Sequence, residues 1–207
     1  MNSAMNCNWV ALKLEDEVRL HYQCYKPREI VLAVWDKWAT NISYFTAWKA
    51  RTKIMELIHG NYEDSYRVAP ALCLQMLKRN PGSIAQCHRH QLDEKFTDLC
   101  IAFNATLEGW VAGCRPVIGL DGCHLKGKYG GCLLSITALD GNNGLYPLAI
   151  YICRSEGYHS WFDFLSIMEE KLKAHPQVLT IISDQQKGLQ TVIGQIFPHA
   201  YTRFCFR

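Results

Sequence analysis

The chain has 207 residues, of which 49% are hydrophobic and 20% are charged, and its net charge is +3. This composition excludes a disordered or collagen-like chain and is sufficient for one large or two small globular domains. A net charge of +3 does not by itself indicate a nucleic-acid partner, so such a partner must be inferred from local motifs.

The sequence contains no stretch that approaches the roughly 18 uncharged apolar residues needed to span a membrane. The first 15 residues lack the basic segment and the small-residue cleavage site of a secretory signal. We therefore expect a soluble, intracellular protein with no membrane partner. The ten cysteines are accordingly expected to be free and mostly buried thiols rather than a disulfide framework.

Residues 1–95 are predicted to form a helical N-terminal region. Pro27 precedes apolar residues at helical spacing, which predicts a helix over residues 28–38. Ser43 is a candidate N-cap, because a serine side chain can accept a hydrogen bond from the first turn of a helix. It predicts a second helix over residues 44–58.

These two helices and their connection, residues 28–58, form a candidate helix-turn-helix that could bind DNA. Lys49 and Lys53 lie one turn apart and are candidate DNA-binding residues. The alternative is a helical hairpin that only packs, which is the commoner arrangement. The Trp and Tyr residues from Trp35 to Trp48 are expected to lie in the core rather than to form a base-stacking platform, and a third helix is expected over residues 63–79.

Residues 96–207 follow a different pattern, in which short β-rich runs alternate with glycine clusters. Strands are predicted over 116–121, 131–139, 145–153, 177–183 and 200–205, with helices over 160–174 and 186–196. The segment Asp-Gly-Asn-Asn-Gly at 140–144 tolerates positive φ and favours a hairpin. An antiparallel meander followed by β-α-β crossovers predicts an α/β protein with a mixed sheet. The order of elements, strand, strand, strand, helix, strand, helix, strand, is that of the ribonuclease H-like fold.

Asp121 and Asp184 each end an apolar run that should be fixed inside the sheet. If their strands are neighbours, with backbones about 4.8 Å apart, both carboxylates could bind one divalent cation. Oxygen ligands of this kind suit Mg²⁺ or Mn²⁺, and two such ions held by three acids support phosphoryl transfer. The alternative is structural: Asp121 begins an Asp-Gly turn and Asp184 caps the helix that follows it.

Several short segments around these acids form a set of motifs with a characteristic order and spacing. Leu-Asp-Gly-Cys-His surrounds Asp121 and Ser-Asp-Gln-Gln-Lys-Gly surrounds Asp184. The segments are residues 47–51, 62–63, 80–82, 115–127, 129–131, 140–147, 160–162, 182–188 and 197–199. They closely resemble the Mutator-like element (MULE) transposases of plants, and the resemblance covers most of the chain.

The resemblance implies a DDE-type transposase with a ribonuclease H-like core, acting on DNA in the nucleus with Mg²⁺ or Mn²⁺. Asp121 and Asp184 match the first and second catalytic, metal-binding acids. The family's third acid is a glutamate that would fall beyond Arg207, so the core over residues 96–207 is expected to be incomplete. Its DNA partners would be the element's terminal repeats and the target DNA.

Four further residues are candidates for contacts near the acid pair. Lys126, Lys128 and Lys187 are candidate DNA-binding residues, because cations at these positions could hold phosphates. His124 could touch phosphate or a metal-bound water. The alternatives are ordinary exposed lysines and a histidine that packs in the hairpin.

We therefore expect a fragment of a Mutator-like transposase, ancestrally a metal-dependent enzyme of DNA strand cleavage and transfer, inactive because the third acid is missing. Glu169 and Glu170 are not expected to replace that acid, since they belong to the solvated face of a helix. The alternative is a domesticated, non-catalytic protein that binds DNA and regulates. A homo-oligomer is compatible with either interpretation.

Overall fold

The computed structural model describes residues 5–21 and 25–205, and the chain divides into two compact units between Tyr66 and Arg67. Within the described ranges, no helix is both long and apolar enough to cross a membrane. Each unit has a hydrophobic core of its own.

The first unit contains three helices, α1 (Cys7–Leu20), α2 (Pro27–Trp38) and α3 (Tyr44–His59). The predicted helices over 28–38 and 44–58 are confirmed, whereas α1 was not predicted. Ser43 caps α3 as expected, because its hydroxyl accepts a hydrogen bond of 3.1 Å from the Thr46 amide. The core of this unit is formed by the fully buried side chains Val10, Leu14, Val18, Ile30, Val34, Ala47, Ala50 and Ile54.

The expectation that the aromatic residues from 35 to 48 lie in the core is wrong for most of them. Trp35, Tyr44, Phe45 and Trp48 are between 48% and 60% exposed. Small residues of α3 take their place, since Ala47 and Ala50 are fully buried. The aromatic residues of α3 therefore face outward beside lysines.

Helix α4 (Tyr62–Arg79) matches the predicted third helix and is followed by a seven-stranded mixed sheet. The strands are β1 (Ile84–Arg89), β2 (Phe96–Ala102), β3 (Cys114–His124), β4 (Cys132–Asp140), β5 (Leu145–Cys153), β6 (Thr180–Ser183) and β7 (Tyr201–Phe204). The helices are α5 (Asn104–Gly113), α6 (Tyr158–Lys173) and α7 (Lys187–Ile196). The predicted α/β class is confirmed.

The strand order is β1-β2-β5-β4-β3-β6-β7. Strands β3, β4 and β5 form an antiparallel meander, and β6 and β7 add to the other side of β3 in parallel. This is the strand order that the predicted ribonuclease H-like core requires. The sheet also begins earlier than residue 96, because the hairpin of β1 and β2 extends it beyond β5.

The segment 140–144 connects β4 and β5 as the predicted hairpin. The Asp140 carboxylate accepts hydrogen bonds of 2.8 Å from the Asn142 amide and 2.7 Å from the Gly144 amide. Asn143 adopts a positive φ of 67°, a conformation that asparagine tolerates better than most residues. Local turn chemistry therefore fixes the register of this strand pair.

Helices α6 and α7 cover one face of the sheet. Five side chains at helical spacing on α6 are fully buried, namely Trp161, Phe164, Leu165, Met168 and Leu172. They share a core cluster with Ile118 and Leu120 of β3 and Ile181 of β6. Because side chains alternate along a strand, the neighbours of these strand residues lie on the opposite face.

Candidate metal and nucleic-acid site

Asp121 lies in β3, and Asp184 directly follows β6, the strand that neighbours β3 in parallel. The register pairs Ile118 with Ile181 and Gly119 with Ile182. Continued by two residues, it places Asp121 opposite Asp184, on the face away from α6 and α7. The predicted adjacency of the two strands is confirmed, and neighbouring strands lie about 4.8 Å apart.

Both aspartates are exposed, and each makes a short-range contact with the backbone. Asp121 Oδ1 accepts a hydrogen bond of 3.0 Å from the Gly122 amide, and Asp184 Oδ1 accepts one of 3.2 Å from the Gln186 amide. These contacts fix the direction of each carboxylate but leave most of its lone pairs facing solvent.

The structural alternatives for the two acids do not hold. Asp121 does not begin a turn, because β3 continues to His124. Asp184 does not cap α7; the N-cap is Gln186, whose side chain accepts a hydrogen bond of 3.1 Å from the Leu189 amide. The Asp184 carboxylate instead accepts a hydrogen bond from the Gln186 amide two residues on, which forms an Asx turn that leads into α7.

In the part of the chain that the structure describes, no group of three or more His, Cys, Asp or Glu side chains is arranged to hold a metal. The acid pair is thus a two-carboxylate arrangement. Glu169 pairs with Lys173 one turn along α6, and Glu170 is exposed. Both glutamates therefore lie on the solvent side of α6, as the sequence predicted.

The two aspartates lie at what we call the carboxyl edge, which comprises residues 121–131, 153–158 and 183–188. Strands β3, β5, β6 and β7 all end at this edge, because β5, β6 and β7 run parallel to β3. The strand order also reverses at β3: β4 and β5 follow on one side of it, and β6 and β7 are added on the other. Open α/β sheets bind ligands at such a point, outside the carboxyl ends of the strands.

The loop between β3 and β4 extends the carboxyl edge beyond Asp121. The Leu125 amide donates a hydrogen bond of 2.9 Å to the Gly131 carbonyl and closes the loop. Lys126 and Lys128 are exposed on it, and Lys128 Nζ lies 5.3 Å from the centre of the Tyr129 ring. Two exposed cations therefore lie on the loop that follows β3, the strand that contains Asp121.

The other two candidates at this edge have different surroundings. His124 Nδ1 lies 3.2 Å from the buried Cys132 Sγ on the neighbouring strand. This contact favours the alternative in which His124 packs in the hairpin. Lys187 begins α7, but its side chain lies outside the described residues.

Sequence reasoning missed Glu156, which lies at the carboxyl edge on the face of β3 opposite to Asp121. Its Oε1 accepts a hydrogen bond of 3.1 Å from the indole N–H of Trp161, a fully buried side chain. A Cβ on Gly122 would lie 2.9 Å from the Glu156 carboxylate, so the glycine makes room for it. The sequence did contain a signal for it: Glu156 lies just before α6, and a buried tryptophan such as Trp161 needs a hydrogen-bond acceptor for its indole N–H.

In the first unit, α3 presents Lys49 and Lys53 in different ways. Lys49 is exposed, with Nζ 4.4 Å from the centre of the Phe45 ring. Lys53 donates a hydrogen bond to the Asn8 side chain of α1. Both remain accessible at the surface, and Lys53 also ties α3 to α1.

Residues 117–207 match the MULE transposase domain. The matched segment begins in β3 and contains both Asp121 and Asp184, together with the loop of Lys126 and Lys128. No curated protein matches the chain. The family match supports a transposase-derived protein of the MULE type, in agreement with the resemblance found in the sequence.

Proposed function

We propose that this protein derives from a DDE-type MULE transposase of plants and that Asp121 and Asp184 bind one Mg²⁺ or Mn²⁺ beside DNA. The observation that supports the proposal is the parallel pairing of β3 with β6 within the matched segment, because this register, continued by two residues, would bring Asp121 opposite Asp184. The ancestral reaction is cleavage and transfer of DNA strands.

The donor set fits a hard divalent cation. Both side chains are exposed carboxylates, and Mg²⁺ is usually held by one or two carboxylates together with phosphates and water. A bound ion would supply Lewis-acid polarisation of a phosphate oxygen. The chain's own contribution is to hold the two carboxylates side by side through the fixed strand register.

We also propose that the 207-residue chain does not cleave DNA. Two-metal phosphoryl transfer needs ligands for both ions, and no third ligand joins the pair among the described residues. Binding of a single ion in the presence of DNA is therefore compatible with no cleavage.

The test is Mn²⁺ binding followed by electron paramagnetic resonance, with and without a DNA duplex. Asp121→Ala and Asp184→Ala should each weaken binding at least about tenfold, since even the loss of an outer partner costs about 10- to 100-fold. Glu170→Ala, on the exposed end of α6, is the matched control and should bind as the wild type does. Unchanged binding in both aspartate variants would reject the site.

Plasmid nicking with Mg²⁺ or Mn²⁺ tests the second half of the proposal. We expect no cleavage above background from the 207-residue chain. Cleavage that disappears in Asp121→Ala and Asp184→Ala would show that this chain completes a catalytic site, and the proposal of an inactive protein would be wrong.

Lys126 and Lys128 are proposed to contact DNA phosphates near the acid pair, and Lys187, Lys49 and Lys53 to contribute further contacts. Removing one cation that binds a phosphate should reduce the slope of log K against log salt by about 0.9. The double variant Lys126→Gln/Lys128→Gln should therefore bind DNA more weakly and with a shallower slope. Lys171→Gln, near the far end of α6, is the control.

A second candidate function is a domesticated DNA-binding regulator. It is favoured because the chain contains a separate helical unit and has only two acids at the matched positions of the carboxyl edge. It predicts sequence-selective duplex binding that needs no metal and is unchanged in Asp121→Ala. Both functions place the protein in the nucleus, where a fluorescent fusion should accumulate, and both permit a homo-oligomer.

A further inference from the structure

The first turns of α3 carry an exposed cluster of two aromatic rings and a cation. We call Phe45, Trp48 and Lys49 the aromatic cluster. Phe45 and Trp48 are 60% and 49% exposed, and their rings are nearly parallel, with centroids 6.1 Å apart and planes inclined by 8°. Lys49 Nζ lies 4.4 Å from the centre of the Phe45 ring.

This exposure is not required by the packing of α3. The buried face of the helix consists of Ala47, Ala50 and Ile54, and the cluster lies outside it. Single exposed apolar residues are ordinary, but contiguous exposed apolar surface marks an interaction site. Tyr44, 58% exposed, extends the apolar surface at the start of the helix.

The charge around the aromatic cluster identifies its partner as an anion. Residues 44–54 contain three cations and no acidic residue. Arg51 donates to the Tyr25 carbonyl and Lys53 to the Asn8 side chain, so Lys49 is the cation of the cluster itself. If two copies met through this surface about a two-fold axis, their Lys49 side chains would face one another with no acid of the segment to pair them. A polyanion with flat, apolar groups complements the same surface.

We propose that the aromatic cluster binds single-stranded DNA by stacking unpaired bases on Trp48 and Phe45 while Lys49 contacts the backbone. Base stacking on exposed aromatic side chains beside cations is the general mode of single-strand binding. The bases of an intact duplex do not present their faces in this way. The inference rests on the proposed nucleic-acid partner, but it concerns residues remote in sequence from the acid pair.

The test measures binding of the full 207-residue chain to a fluorescein-labelled oligothymidylate of about 15 nucleotides by fluorescence anisotropy. Trp48→Ala should weaken binding about 5- to 150-fold, the range expected when one base can no longer stack. Trp48→Phe should restore much of it, because an aromatic face is kept. Trp35→Ala, which removes a similarly exposed tryptophan from α2, is the matched control and should bind as the wild type does.

An abasic strand of the same length separates stacking from charge, because it keeps the phosphates and lacks the bases. The wild type should bind it at least as weakly as Trp48→Ala binds oligothymidylate, because stacking on Phe45 is lost as well. Circular dichroism of each variant checks that the helices are intact, and a variant that loses helicity is replaced by Phe45→Ala, for which the same weakening is expected.

Equal binding of oligothymidylate by the wild type and Trp48→Ala would overturn the proposal. So would a preference of the cluster for duplex DNA, or loss of self-association in Trp48→Ala with DNA binding intact, which would indicate a second copy as the partner. Trp48→Ala should bind Mn²⁺ in the absence of DNA as the wild type does. Failure of the metal site and failure of the aromatic cluster are thereby distinguished.

Discussion

Glu156→Ala removes the acceptor of a buried indole and should destabilise the carboxyl edge. Trp161 is fully buried, and its N–H donates to Glu156 Oε1 at 3.1 Å. A buried donor left without a partner costs about 1–3 kcal/mol. We expect Glu156→Ala to lower the free energy of unfolding by about that amount, whereas Glu156→Gln, which keeps an acceptor oxygen, should lower it by less.

Gly122→Ala perturbs the same hydrogen bond from the opposite side. The new Cβ would lie 2.9 Å from the carboxylate carbon and both carboxylate oxygens of Glu156. Because these atoms end a flexible side chain, they can move away, and the cost is that of disturbing the bond to Trp161, again about 1–3 kcal/mol. In the double variant Gly122→Ala/Glu156→Ala nothing remains to displace, so the two effects should not add.

The measurement is urea unfolding of the wild type and the four variants, with hydrogen exchange of β3 and α6 locating the change. Equal destabilisation by Glu156→Ala and Glu156→Gln would show that the indole bond carries no weight. Full additivity in the double variant would show that Gly122 and Glu156 do not interact. The first result would refute the stabilising role of the indole hydrogen bond, and the second would refute the role of the glycine in making room for the glutamate.

Three further predictions concern single groups. Burial raises the pKa of Cys100 to about 12, so iodoacetamide at pH 8 should label the exposed Cys123 and not Cys100, as read by peptide mass spectrometry. Asp140→Ala should cost about 1–3 kcal/mol in urea unfolding, because two loop amides lose a charged acceptor, while Asp140→Asn should cost less. Hydrogen bonding to Glu17 raises the pKa of Tyr25 to about 12 from 10; Glu17→Gln should return it toward 10 by NMR. This hydrogen bond stabilises the fold below pH 10, and its contribution disappears as the pH rises toward 12.

The elements that the sequence predicted share strong local signals. The helices over 28–38 and 44–58 have caps and helical periodicity, and the hairpin at 140–144 has residues that tolerate positive φ. The strand β1 was missed because Gln86, His88 and Arg89 make it too polar to read as a strand. It is held instead by pairing with β2, a long-range interaction that no local pattern contains.

The residues of the candidate site also fall into those that the sequence predicted and those that it could not. Asp121 and Asp184 could be found because each follows an apolar run and because the segments around them resemble the MULE family. The structural role of Glu156 could not be predicted, since it depends on two contacts that the sequence does not show. These are the space left by Gly122 in β3 and the hydrogen bond from the buried Trp161. The outward position of Trp48 was also missed, because alanines rather than aromatic residues fill the core face of α3.

The position of the acid pair is set by its apolar neighbours rather than by the acids themselves. Ile118 and Leu120 of β3 and Ile181 of β6 are buried against α6 and α7. A slip of one residue between the two strands would turn Asp184 toward that buried face and Ile181 out to the open face of the sheet. Burying an unpaired carboxylate is strongly unfavourable, so the hydrophobic core selects the register in which both carboxylates face solvent. The parts of the chain that touch neither metal nor DNA thereby determine the geometry on which the proposed binding depends.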